Sequence, residues 1–188
     1  MLCTAQIFHK IKVIGYNKQT IFKDIWFKIK SMSSLLTLHE IIILYKHCFY
    51  YMPTAHTIYQ GDLRTQATHL QSGTTILTDA PTDNNGKGEA FSPTDLVATA
   101  LGSCMMTIMG IAARRDGIEL KGSEMDITKG MSADSPRRIA KIEIIINLLT
   151  DRQLEENEKA SLIRAAHTCP VALSLHPDIE QAVSFVWK

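Results

Sequence analysis

The sequence predicts an α+β fold with a mainly antiparallel sheet and one long buried central helix. Three observations predict it. After Met52 the elements run ββ, long helix, ββ, helices, β. Ile142, Ile144 and Ile146 alternate with Glu143, Ile145 and Asn147 at strand period. The stretch from Pro93 to Arg115 is apolar on nearly every side, which is the pattern of a buried helix.

Taken in order, residues 57–70 and 74–78 are β-prone, and Gln71-Ser72-Gly73 between them reads as a hairpin turn. Residues 80–88 form a loop rich in Asp, Asn, Gly and Pro. Ser92-Pro93-Thr94-Asp95 carries the marks of a helix start: Ser as N-cap, Pro at the first helical position and an acid at the third. Arg114 and Arg115 suit the last turn, where they complement the helix dipole, and Gly117 is placed to end the helix. Residues 123–129 and 138–149 read as strands. Thr150-Asp151-Arg152-Gln153 offers a second capping box, predicting a helix through about Ala166 with Leu154, Leu162, Ile163 and Ala166 on its buried side. Pro170 starts a further helical stretch ending before His176-Pro177, and residues 181–187 read as a closing strand.

The chain's 188 residues are 45% hydrophobic and 21% charged, with a net charge of +1, which suits a globular protein. That average conceals a division. Nine of the aromatic residues lie before Met52, and the first 51 residues carry seven Lys against Asp24 and Glu40, a net of +5 that leaves −4 for the rest. Residues 1–51 are therefore expected to be an atypical basic extension, read through from upstream, with natural translation beginning at Met52. Leu35, Leu38, Ile42 and Tyr45 in that segment recur at helical spacing, which also fits an amphipathic helix. Residues 52–188 form the domain. Its acidic balance argues against nucleic-acid or membrane-surface binding, and no uninterrupted apolar run of membrane-spanning length occurs.

The four cysteines are Cys3, Cys48, Cys104 and Cys169. With so few thiols and no Cys-x-x-Cys pair, a secreted disulfide framework is not expected, and the cytoplasm is the predicted compartment. A free Cys in an apolar helix, as Cys104 is, ordinarily serves as a small buried hydrophobe. Cys169 directly precedes Pro170 at a helix N-cap, where unpaired amides favour a thiolate and a lowered pKa. His167 and Cys169 are only two apart and no other pair has ligand spacing, so neither metal nor organic cofactor is expected. The loop Asn84-Asn85-Gly86-Lys87-Gly88 lacks the glycine spacing and the Lys-Ser/Thr ending of a phosphate loop.

Three stretches together are similar to the OsmC/Ohr family, the osmotically inducible protein C and organic hydroperoxide resistance proteins. They are Tyr59-Gln60-Gly61-Asp62-Leu63-Arg64, the run Phe91-Ser92-Pro93 through Ala100-Leu101-Gly102-Ser103-Cys104, and His167-Thr168-Cys169-Pro170-Val171. The resemblance spans residues 54–188. It implies an intertwined homodimer with active sites at the subunit interface and a two-cysteine hydroperoxide reductase. Cys104 would be the peroxidatic thiol that becomes a sulfenic acid, and Cys169 the resolving thiol that condenses with it. Arg64 would match the active-site Arg that steadies the thiolate and the peroxide.

One position departs from the family pattern. The peroxidase branch has Glu directly after the helix-opening Pro, paired with the active-site Arg, and Thr94 stands here. Asp95 points about 100° further round the helix and suits the capping role. Glu89, in the preceding loop, is the expected substitute. The implied partners are an organic hydroperoxide and a dithiol reductant such as a lipoyl group. The competing reading is a non-catalytic dimer on the same scaffold, responding to stress or holding an apolar ligand against Met105, Met106 and Met109.

Overall fold

The computed structural model describes residues 53–188. The expectations for the basic extension, including Cys3, Cys48 and the helix at 35–51, lie outside the described residues. The elements are β1 (Ala55–Gly61), β2 (Arg64–His69), β3 (Thr75–Asp79), a 3-10 turn (Thr82–Asn84), α1 (Pro93–Arg115), β4 (Glu124–Met131), β5 (Ile139–Leu148), α2 (Glu156–His167), α3 (Pro170–Ser174) and β6 (Glu180–Trp187). Two three-stranded sheets form, in the orders β1-β2-β3 and β4-β5-β6. The chain divides into two compact units, residues 53–58 with 67–76 and residues 59–66 with 77–188.

The smaller unit contains the turn between β2 and β3. His69 and Thr74 close it, with the His69 N–H donating to the Thr74 carbonyl at 2.8 Å, and Gly73 takes the positive φ of 75° that the reversal needs. The hairpin expected at Gln71-Ser72-Gly73 is present.

The β-prone stretch from 57 to 70 is two strands, β1 and β2, with the turn between them in the larger unit. Asp62 and Leu63 reverse the chain between them with φ of 48° and 62°. A two-residue loop with both residues left-handed matches the twist of a hairpin, but here neither residue is the Asn-Gly pair that announces such a turn in sequence. The Tyr59 hydroxyl accepts the Leu63 N–H at 3.2 Å. Arg64 is thus the first residue after the turn.

Helix α1 begins and ends where the sequence places it. The Ser92 hydroxyl accepts the Asp95 N–H at 3.1 Å, and Asp95 Oδ2 accepts the Ser92 N–H at 2.8 Å. At the other end Gly117 has φ 69° and the Ile118 N–H reaches back to the Ala113 carbonyl. Ala98, Leu101, Gly102, Met105, Met109 and Ala113 form its buried stripe. Gly102 lies against β4: a Cβ there would sit 2.6 Å from Ile127 Cδ1. Ala100, Ser103, Thr107 and Ile111 are exposed in the single chain, so one face is buried rather than the whole circumference. By length and composition alone α1 could cross a membrane, yet its buried stripe is part of the unit's core.

The second sheet supplies the other wall of that core. Strand β5 turns Ile142, Ile144, Ile146 and Leu148 inward at strand period, each fully buried. It pairs antiparallel with β4, Ile127 opposite Ile144, and parallel with β6, Ile146 opposite Phe185. The parallel pair follows from the α2–α3 crossover between β5 and β6.

The helix start expected at Thr150 is displaced. The Thr150 hydroxyl donates to the Arg152 carbonyl, Leu154 is buried ahead of the helix, and α2 begins at Glu156 with Glu158 accepting the Glu155 N–H at 2.9 Å. Burying Leu154 requires the chain to run inward before it coils, so Thr150-Asp151-Arg152-Gln153 is a bend that imitates a cap. Arg152 binds Glu158 by two bonds of 2.9 and 2.6 Å, which, with the Glu155 N–H, lower the Glu158 pKa to about 2.

Candidate active site

Two groups of the expected residues come together in the larger unit. The first is the thiol pair. Cys104 lies in mid-helix on the half-buried flank of the α1 stripe, because its position follows Leu101 by three residues and precedes Met105. Cys169 is fully buried and caps α3, its Sγ accepting the Ala172 N–H at 3.3 Å. Pro170 at the first helical position needs no hydrogen-bond acceptor there. Cys104 packs against the buried core to which Cys169 belongs, and both thiols are free.

The cap does not lower the Cys169 pKa as the sequence suggested. Burial pushes the thiol up and the neighbouring Cys104 adds to the rise; the Ala172 N–H works the other way and is outweighed. A sulfur buried in the core loses more by desolvation than the Ala172 and Val171 amides return.

The second group surrounds Arg64. Its Nε donates to Asp79 Oδ1 and its Nη2 to Asp79 Oδ2, both at 2.7 Å, and Nη2 also donates to Glu89 Oε2 at 2.6 Å. Asp79 is 2% exposed, whereas the Glu89 side chain is 63% exposed. The Glu89 N–H donates to Asp79 Oδ2 at 3.1 Å, and the Asp79 N–H donates to the Phe91 carbonyl at 3.1 Å. The two carboxylates fix Arg64 as a cation, and the guanidinium holds the Asp79 carboxyl below its ordinary range. Asp79 was not singled out from sequence. An Asp ending a strand and entering a Pro-containing loop carries the ordinary signal of a turn residue, and its partner lies fifteen positions earlier.

Thr94 belongs to a third cluster. Lys129, on β4 and 15% exposed in its side chain, donates to Ser92 Oγ at 3.3 Å, Thr94 Oγ1 at 2.8 Å and Asp95 Oδ1 at 2.7 Å. Burial opposes the Asp95 charge, but the bonds from Lys129 and Ser92 outweigh it and hold its carboxyl below the usual value. Among the described residues the hydrogen bonds of Arg64 go to Asp79 and Glu89, and none joins it to Cys104.

The thiol pair can cycle between dithiol and disulfide, because only the loss of two electrons and two protons separates the states. The Arg64 group offers a fixed cation with one of its two carboxylate partners exposed.

The family model described as OsmC-like protein matches residues 86–183. A crystal structure from Psychrobacter arcticus 273-4, described provisionally as an osmotic stress induced and detoxification response protein, is 52% identical. The match covers 71% of this chain and 96% of that one, with a TM-score of 0.67. An OsmC-like protein from Mycoplasma pneumoniae shares the fold at 16% identity and a TM-score of 0.59, covering 71% of this chain and 94% of its own. An organic hydroperoxide resistance protein OsmC from Legionella pneumophila does so at 18% identity and 0.55, covering 72% and 98%. No curated protein matches the chain. The capped central helix, its half-buried Cys104 and the Cys-Pro cap of α3 all fall within the matched residues, and the chain belongs to the OsmC family.

Proposed function

We propose that the protein is a cytoplasmic thiol peroxidase that reduces organic hydroperoxides. The observation that carries this reading is the presence of two free thiols at one core, half-buried Cys104 on α1 and buried Cys169 at the cap of α3. The Cys104 thiolate attacks the distal peroxide oxygen; the O–O bond breaks, an S–O bond forms, and the alkoxide takes up a proton to leave as alcohol. The Cys169 thiol then attacks the sulfur of the Cys104 sulfenic acid; the S–S bond forms as the S–O bond breaks, and the thiol proton leaves with the hydroxyl as water. A dithiol of the lipoyl class reduces the disulfide by exchange and becomes a cyclic disulfide itself. The Psychrobacter and Legionella relatives, described respectively by detoxification and by hydroperoxide resistance, support the substrate class.

The cation reaches this thiol from a second copy of the chain. The Arg64 group is tied to residues just ahead of α1, while Cys104 is twelve residues beyond Ser92, a separation of about 18 Å at the helical rise. Exposed Tyr59, Leu63, Leu77, Phe91 and Ile111 supply apolar surface for the homodimer. In it, Glu89 takes the part of the Glu absent at Thr94.

Steady-state turnover with cumene hydroperoxide and dihydrolipoamide tests the reading. The expected result is activity that C104S abolishes and that returns when R64A and C104S chains are mixed and allowed to exchange, since one hybrid site then holds both groups. Wild-type protein that consumes no peroxide would instead support the binding reading. Native mass spectrometry would then show an apolar ligand.

A further inference from the structure

The two carboxylates on Arg64 are not equivalent. Asp79 is buried and takes Nε and Nη2 through parallel bonds; Glu89 is exposed and takes one bond from Nη2. Asp79 also accepts the Glu89 backbone N–H, so it fixes the start of the Glu89 side chain as well as the guanidinium plane. Its own N–H is tied to the Phe91 carbonyl, and the Ala80 N–H is tied to the Leu63 carbonyl, which closes the hairpin turn against the loop that carries Glu89. Strand β2, the end of β3 and the loop ahead of α1 therefore meet at Asp79, whose carboxylate joins Arg64 to the Glu89 backbone.

We infer that Asp79 is the positioning residue of the peroxidase site. It sets the plane and direction of Arg64 permanently, leaving the Nη2 edge shared with Glu89 as the edge that opens to an incoming peroxide oxygen. Asp79 touches no reacting atom and acts through Arg64 alone. A guanidinium anchored only by exposed Glu89 would lose its anchor each time that loop side chain moved into solvent. With Asp79 in place, Glu89 can leave and return while the cation keeps its aim. The role of Asp79 in catalysis rests on the peroxidase reading; its hold on Arg64 does not.

A double-mutant cycle on the rate of peroxide reduction, with NMR of the arginine side chain, tests this. D79N is expected to lower kcat/KM for cumene hydroperoxide by about 10-fold to 100-fold. In an R64A background the same substitution is expected to cost nothing further. An equal loss in both backgrounds would mean a general structural role and overturn the inference. The Arg64 Nε–H meets only Asp79, so its exchange with water is expected to be slow in the wild type and in E89Q and fast in D79N. Fast exchange in the folded wild type would overturn the inference even if D79N failed to fold. If the wild type reduced no peroxide, the peroxidase reading and Asp79's catalytic role would fall together, while slow Nε–H exchange would still establish the anchor.

Discussion

The Thr94 hydroxyl accepts a hydrogen bond from Lys129 Nζ at 2.8 Å and takes no part in the hydrogen bonding of Arg64. The position at which the peroxidase branch of the family carries its Arg-binding Glu has been drawn into the clamp that joins β4 to the start of α1. Arg64 binds instead the carboxylate of Glu89, five residues earlier and outside the helix.

This relocation predicts the behaviour of two variants. T94E places its carboxylate next to Lys129 and is expected to leave kcat/KM for organic hydroperoxide within about threefold of wild type. E89Q is expected to lower it about tenfold, by the loss of one charge-assisted partner. Stopped-flow peroxide consumption measures both. If E89Q has no effect while T94E accelerates the reaction, the assignment of Glu89 is wrong.

The burial and raised pKa of Cys169 predict a slowly reacting thiol. At neutral pH Cys169 is expected to remain a thiol and to alkylate slowly with iodoacetamide, its rate climbing only in solution more alkaline than an ordinary cysteine needs. In C169S, the Cys104 sulfenic acid has no resolving thiol and is expected to accumulate after one equivalent of peroxide. Dimedone labelling followed by peptide mass spectrometry detects it. Absence of the adduct in C169S would contradict the division of roles.

Packing at Gly102 sets a stability test. Adding a Cβ places it 2.6 Å from Ile127 Cδ1 and 3.5 Å from Met125 Sδ. G102A gains helix propensity but overpacks the α1–β4 contact, with an expected net destabilisation of about 1–2 kcal/mol. The I127V change in the same chain removes the clashing methyl and is expected to recover most of the loss. Urea denaturation of the two variants compares them; a G102A protein as stable as wild type would place Gly102 outside a tight contact.

Acid stability follows from the depressed carboxylates. Glu158 falls from an ordinary 4.5 to about 2 in the folded chain. A lowered folded pKa means that the unfolded state binds the proton more readily, so the stabilisation is complete above about pH 5 and is lost as pH falls toward 2. Asp79 and Asp95 shift in the same direction and lose their stabilisation in acid too. Thermal melts from pH 7 to pH 2 are expected to show a falling Tm, with E158Q starting lower and declining less. Parallel wild-type and E158Q curves would contradict the role of the Arg152–Glu158 pair.

What could be read from sequence depended on how local the interactions were. Both ends of α1 were legible because Ser92, Pro93 and Asp95, and then Gly117, act on backbone within one turn of themselves. The β1–β2 turn was not, since Leu63 adopts a positive φ with no sequence mark for it. The bend at Thr150 misled because only the burial of Leu154, a tertiary fact, separates it from a helix cap. Cys104, Cys169 and Arg64 were found through motif resemblance. Asp79 was missed because its importance arises from a partner on another strand and from a loop amide ten residues on.

The central claim is that the Cys104–Cys169 pair is the reducing centre. Fully reduced protein is mixed with a slight excess of cumene hydroperoxide without any reductant, and the products are resolved by peptide mass spectrometry. The account predicts one peroxide consumed per subunit and a disulfide linking the Cys104 and Cys169 peptides. Survival of both thiols in excess peroxide would contradict it.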